Sequence, residues 1–481
     1  MKIKQVNILL TVSSMFLLAL HFDAKANYVI LIGGGDYPGN SQASIESNTK
    51  WIANLVKEDQ DKKLLIYFTN AGKQSPDVKK ERPNQGEERS LFEPLARVYK
   101  NEIKLREHFY KNNINDVSGG TNSEYLKKEL GKRVKNISPG TDLLLIYQGH
   151  GGQNQSDANK NYLKLWGRTK LTVVDLDKLL NTVPKNIRIR FVFPQCYSGG
   201  FSSLMYKDLE KKNGLADSLR CGYLAQSHDK QSEGCTSSIN TADYRDYSNY
   251  FFSALSGKTR SGAPLLYNPD TNSDGTVSLR EAHFYTLVTA HSTDFSRSTS
   301  EQYLEDWQPW YIRWLPDTNV KNEYSDAANM LLKKVAGGDA SIVKNKINNL
   351  ANQIEVMEAT QNKLNNEIKK KQKILKQKLS LRWPAISAPY TKKYSILIKN
   401  DLEQINNFLL SSEEFLMLRD LQNTRAQYEQ TILDLRRDMV QHQKYIRLMK
   451  LATIKQHFLQ LADSKSNAEH QRLVQCEESR F

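Results

Sequence analysis

Between residues 28 and 196 the chain repeats one pattern. YVILIGGG (28–35), LLIYFT (64–69), DLLLIYQGHGG (142–152) and IRIRFVFPQC (187–196) are apolar runs that stop at glycine or polar residues. Unbroken runs of this length suit strands buried on both faces. Between them lie SIESNTKWIANLVKE and TVVDLDKLLNTV, which read as amphipathic helices. This alternation predicts an α/β fold, a mostly parallel sheet with helices on both faces. In such sheets, sites form at the carboxyl ends of the strands. The stretch NAGKQSPDVKKERPNQGEERS, within about 70–100, is polar and carries proline and glycine. It predicts an exposed loop at the rim of such a site.

Beyond about residue 325 the pattern changes. Val343, Ile347, Leu350, Ile354, Met357, Leu364 and Ile368 follow a heptad spacing broken only at Gln361. A second run passes through Tyr428, Ile432, Leu435, Met439, Ile446 and Met449, with His442 interrupting. WPAISAPY (383–390) separates the two, and its prolines stop helices. The pattern predicts two long antiparallel helices. With 481 residues the chain is too long for one core. We therefore expect an α/β domain over 27–320 and an α-helical, coiled-coil-like C-terminal domain over 325–481.

The first 26 residues begin with Lys2 and Lys4, continue as VNILLTVSSMFLLALHF and end in Ala24-Lys25-Ala26. That is the form of a cleaved signal peptide, so export to a periplasmic or secreted location is expected. Cleavage would remove three lysines and one aspartate, taking the formal charge from +15 to +13. Lys and Arg are not interleaved with aromatics as a nucleic-acid groove requires, so no nucleic-acid partner is expected. Attraction to an anionic envelope surface is the milder expectation. The turn GGGDYPG lacks the G-x-G-x-x-G spacing of a dinucleotide site.

Candidate chemistry sits at two strand ends. His150 ends one apolar run and Cys196 the next, each followed by paired glycines, Gly151-Gly152 and Gly199-Gly200. If the two strands are neighbours, about 4.8 Å apart, imidazole and thiol can meet over one sheet edge. A thiol needs such a base to become a nucleophile. The backbone N–H groups of Gly151 and Cys196 are the candidate oxyanion hole. The four cysteines are Cys196, Cys221, Cys235 and Cys476, which allow three full pairings. A Cys221–Cys235 disulfide closes a short loop and leaves Cys196 free; a Cys196–Cys476 bridge is the alternative.

The segments YQGHGG and PQCYSGG, supported by YVILIGGG, resemble the caspase-like cysteine peptidases. Within them the likeness is to the legumain-type (asparaginyl endopeptidase-like) group, with a secondary likeness to metacaspases. LAQSHDKQSEGC (224–235) resembles the strand that forms one wall of the legumain-type specificity pocket. The resemblance spans roughly residues 27–290. It implies a caspase-like sheet, a His150–Cys196 dyad and peptide-bond hydrolysis through an acyl-enzyme. It also implies a substrate pocket drawing on Ser227, Asp229 and Asp246. Two features depart from the pattern. Pro194 stands where an acidic residue helps to read the P1 side chain, and DYPGNSQAS lacks the first-loop arginine and histidine. These departures argue against strict asparaginyl specificity and leave open a preference for basic P1 residues through Asp246 or Asp229.

DTNSDGTVSLRE (270–281) fits D-x-N-x-D-G-x5-E. In that pattern Asp270, Asn272 and Asp274 supply oxygen ligands, Thr276 its carbonyl and Glu281 the closing carboxylate of a structural Ca2+ site. The plainer reading is a polar turn in which Ser278 caps the next helix and Glu281 completes an S-x-x-E capping box. The whole chain reads as an exported cysteine endopeptidase acting on protein or peptide substrates, with no organic cofactor. Its C-terminal helices would serve self-association or intramolecular inhibition. The alternative is a catalytically silent scaffold of the same fold that works through those helices.

Overall fold

A computed structural model describes residues 28–480 apart from 72–74, 82–90, 100–106, 139, 235–239, 242–243, 315–319 and 390. The expected signal peptide and Cys235 lie outside the described residues. In chain order the strands are β1 (Tyr28–Gly34), β2 (Lys63–Phe68), β3 (Val78–Glu81), β4 (Glu107–Tyr110), β5 (Val117–Gly119), β6 (Leu143–Gly149), β7 (Gly151–Gly152), β8 (Tyr162–Leu165), β9 (Thr169–Thr172), β10 (Ile189–Phe193), β11 (Arg220–Leu224) and β12 (Arg297–Ser298). The α-helices are α1 (Ala43–Lys57), α2 (Glu93–Tyr99), α3 (Ser123–Lys135), α4 (Val173–Leu180), α5 (Tyr247–Ser256), α6 (Leu279–Thr289), α7 (Thr299–Trp307), α8 (Glu323–Ala336), α9 (Val343–Arg382), α10 (Lys392–Leu410), α11 (Glu413–Leu461) and α12 (Ser464–Glu477).

Seven strands form the main sheet in the order β12-β11-β10-β6-β1-β2-β5, parallel except for β12. Alternation along the strands explains why their runs are apolar throughout. Ile30, Ile32, Leu143, Leu145 and Phe191 face Leu126 and Leu130 of α3 and Leu176 of α4. Val29, Leu31, Leu144, Ile146 and Val192 face Ile52 of α1, Phe251 of α5 and Ala282 of α6. A strand covered on both faces favours apolar side chains, and the buried exception on β10, Arg190, is bonded to Ser479 Oγ and the Arg480 carbonyl. One fully buried aliphatic side chain here contributes about 1.5–3 kcal/mol. The fold is thus α/β with a mostly parallel sheet flanked by helices, followed by a long helical region.

The helical region is an antiparallel pair of α9 and α11. Lys378 bonds Glu414, while Arg436 bonds Glu358, so residue numbers rise on one helix as they fall on the other. The expected seam holds only along part of α11. Ile446 is 44% exposed, whereas Gln441, Lys444 and Arg447 are buried. At that end α11 packs on the α/β layer. Arg447 there pairs with Glu301 and Glu305 of α7 at 2.9 and 2.8 Å, so polar residues occupy the inward face. Nor does this end have a core of its own. Met205, Leu287 and Leu304 share one apolar cluster with Leu331, Leu451, Phe458 and Leu473.

Two further expectations are corrected. Cys221 bonds Cys476 of α12, with 6.1 Å between the Cα atoms, and not Cys235. Cys221 lies fully buried on β11 facing the helical cluster, so the thiol that reaches it comes from the chain terminus packed there. Cys476 is thereby unavailable to Cys196, which is free. The polar stretch of 70–100 is not simply an exposed rim either. It contains β3 and α2, and Leu95 and Val98 of α2 are buried against Leu375, Leu379 and Leu418 of the helical pair. Among the described residues no helix is long and apolar enough to cross a membrane.

Candidate active site

β6 and β10 are adjacent and parallel, with Leu143 opposite Ile189 and Ile146 opposite Val192. His150 and Cys196 each follow that last register pair by four residues, so they leave the sheet side by side at its carboxyl edge. The backbones meet there. A Cβ on Gly151 would fall 1.9 Å from the Cys196 carbonyl oxygen, which only glycine avoids. Tyr197, immediately after the thiol, takes a left-handed φ of 60°. A non-glycine residue pays about 1 kcal/mol or more for that conformation. Its N–H donates to the Lys230 carbonyl at 2.8 Å, which holds the bend.

His150 Nε2 lies 2.8 Å from Gln42 Oε1. The hydroxyl of Tyr147 donates to the His150 carbonyl at 2.9 Å and fixes the backbone that carries the ring. Burial, assisted by the Lys164 charge, lowers the imidazole pKa to about 4. Burial also raises the Cys196 thiol, against the opposing hydrogen bonds of Ser232. The thiol donates to the Ser232 carbonyl at 3.7 Å. Both members of the pair are therefore neutral at neutral pH, a thiol beside a free base rather than a preformed ion pair. Among the described residues, His150 Nε2 is bonded to Gln42 and the Cys196 thiol to Ser232.

Beside Cys196 lies a cavity of about 30 Å³, bounded by Ser44, Asn48, Gln148, Pro194, Ser232, Glu233, Gly234 and Asp246. Its most buried acid is Asp246, 6% exposed. Asn48 Nδ2 donates to Asp246 Oδ2 at 2.9 Å, while Oδ1 has no hydrogen-bond partner among the described residues. Burial raises this carboxyl to about 6. A ligand carrying a donor would complete it.

Ser227 and Asp229, the other expected pocket residues, are not among those bounding the cavity. They bond one another at 2.6 Å, and Asp229 is exposed. The reason is local. The backbone at 227–228 packs on Gly199, whose Cβ would lie 2.6 Å from His228 N, and Asn161 Nδ2 donates to the His228 carbonyl. The chain returns to Cys196 at Ser232–Gly234. Sequence reasoning missed Ser44, Asn48, Gln148, Ser232 and Glu233. Ser44 and Asn48 stand four apart on the buried face of α1, which also carries Glu46 and Thr49, so the sequence did not single them out.

In the loop 270–281 the acidic side chains turn onto the loop's own backbone. Asp270 accepts from the N–H groups of Asp274 and Gly275, and Asp274 from that of Thr276. Glu281 accepts from Thr271, Asn272 and Ser278, and Ser278 and Glu281 form the capping box of α6. Among the described residues no three His, Cys, Asp or Glu side chains converge on a metal position.

No family model matches the chain, and no curated protein matches it. Among solved structures it is similar to a protein from Geobacter sulfurreducens, at 12% identity over 56% of this chain and 93% of that one. The TM-score of 0.32 is too low to carry an argument about fold or function.

Proposed function

We propose that this protein is an exported cysteine endopeptidase, caspase-like and closest in kind to the legumain type. The observation that supports the reading is the equal offset of His150 and Cys196 from the β6–β10 register, beside a cavity containing an incompletely bonded Asp246. In the proposed reaction His150 takes the thiol proton as Cys196 attacks the scissile carbonyl. The N–H groups of Gly151 and Cys196 receive the oxyanion. The imidazolium then protonates the leaving amine, and a water activated by His150 hydrolyses the acyl-enzyme. The P1 side chain would carry a donor or positive charge for Asp246.

The test exposes a denatured proteome to the wild type and to Cys196→Ala and reads new N-termini by mass spectrometry. Cleavage by the wild type alone supports the reading. Cleavage by neither favours the scaffold alternative. We also propose Ca2+ as the ligand of 270–281, held by Asp270, Asn272, Asp274, Glu281 and the Thr276 carbonyl. Calorimetric titration of the wild type and Asp270→Ala checks it, and absence of binding to the wild type rules it out.

A further inference from the structure

One contact ties the long C-terminal helix directly to the wall of the cavity beside Cys196. Arg437 of α11 donates through Nε to Glu233 Oε1 at 2.9 Å, and its Nη2 reaches the same oxygen. The other oxygen of Glu233 accepts from the Thr293 N–H at 2.9 Å, so the carboxylate is held from both sides. The backbone N–H of Glu233 donates to Asp294 Oδ1 at 2.7 Å, and Asp294 Oδ2 accepts from the Tyr247 N–H at 3.0 Å. Tyr247 follows Asp246 directly. A Cβ on Gly234 would lie 2.2 Å from the Asp246 Cβ, so the two sides of the cavity touch at this point.

α11 is no removable cover. Its inner end shares an apolar cluster with the α/β layer, and α12, which follows it, is joined by disulfide to β11. Its grip on Glu233 therefore belongs to the working molecule.

We propose that Arg437 is a positioning residue that sets the width and charge of the P1 pocket. By holding Glu233 it keeps the wall close to Cys196, where the cavity measures about 30 Å³, and neutralises a carboxylate that would otherwise face the pocket. This proposal rests on the peptidase reading above. Without Arg437 the wall relaxes outward and Glu233 becomes available to a basic side chain, so long cationic P1 residues gain on small ones.

The experiment compares full-length wild type, Arg437→Ala, Arg437→Lys and the Arg437→Ala/Glu233→Gln double variant. Peptides differing only in P1, Arg against Ala, are assayed for kcat and KM. The ratio of kcat/KM for Arg over Ala should rise about tenfold in Arg437→Ala, a change of 1.4 kcal/mol. The rise should come mostly through KM, fall back in the double variant and be largely absent in Arg437→Lys. A ratio within about twofold of wild type in Arg437→Ala overturns the proposal.

The rate of Cys196 alkylation by iodoacetamide gives a readout that needs no peptidase activity. Ser232 of the same wall accepts from the thiol, so Arg437→Ala should react several-fold faster, and an unchanged rate overturns the proposal. A wild type that cleaves nothing while Arg437→Ala alkylates faster would refute the peptidase reading alone and uphold the wall contact.

Discussion

Cys221 on β11 is joined to Cys476 on α12, 255 positions later in the chain. Almost the whole helical region lies inside the loop this bond closes. A cut anywhere between α9 and the end of α11 should therefore leave both fragments in one molecule. Limited proteolysis followed by electrophoresis tests this. The pieces should migrate as a single band without reductant and separate with it. Cys476→Ser should lower unfolding free energy by about 2–4 kcal/mol in denaturant titration.

Arg447 of α11 meets Glu301, which is 1% exposed and also bonds His283 at 3.1 Å. Burial alone would raise the Glu301 carboxyl, but the charge of Arg447 and the hydrogen bond with His283 hold it well below the usual carboxylate range. Arg447→Leu leaves that carboxylate buried without its main counter-charge. The expected loss is about 3–5 kcal/mol at neutral pH. Chemical denaturation should find it, and a loss under 1 kcal/mol would sink the claim that this interface is integral to the fold.

Asp246 gives a pH test with a definite sign. Its carboxyl ordinarily titrates near 3.8 and is raised to about 6 by burial. The fold thus favours the neutral acid. Its contribution is fully present below pH 3.8 and is lost as pH rises through 6. Asp246→Asn should then be more stable than wild type by about 3 kcal/mol at pH 8, with the gap closing as pH falls below 4. Thermal unfolding across this range checks it, and a gap independent of pH would refute it.

For the proposed reaction the working form of His150 is the neutral imidazole. With its pKa lowered to about 4, that form persists well below the usual histidine range. For a peptide with Ala at P1, which makes no demand on ionised Asp246, kcat/KM should hold from pH 7 to about 5 and fall as pH passes about 4. An acid limb near 6.5 would contradict this environment. His150→Gln should reduce kcat by roughly 10²–10⁴-fold.

The apolar runs of β1, β2, β6 and β10 were legible because a doubly covered strand favours apolar side chains, with Arg190 of β10 the buried exception. Adjacency of His150 and Cys196 was legible for a related reason, since one crossover helix separates their strands. The disulfide was not. Nearness in sequence favoured Cys235, while the pairing with Cys476 depends on where the last helix packs. The heptad reading of α11 erred at Ile446 for a similar reason. The partner at that end is a charged layer, in which Glu301 and Glu305 select Arg447 for the inward face and Lys444 lies buried near Asp294. Glu233 carried no signal of its own, being one acid among several in a polar loop.

The helical pair is also gripped at its outer end. The Arg97 carbonyl of α2 accepts from Gln372 of α9 and Gln422 of α11, at 2.9 and 3.0 Å. Gln422 and Arg437 are fifteen residues apart on one helix, about 22 Å along its axis. α11 is therefore a ruler between two fixed marks on the α/β layer. Seven residues added to α9 and seven to α11 between those marks would carry the tip about 10 Å past α2. The distance between those two contacts fixes where the wall of the cavity stands relative to α2.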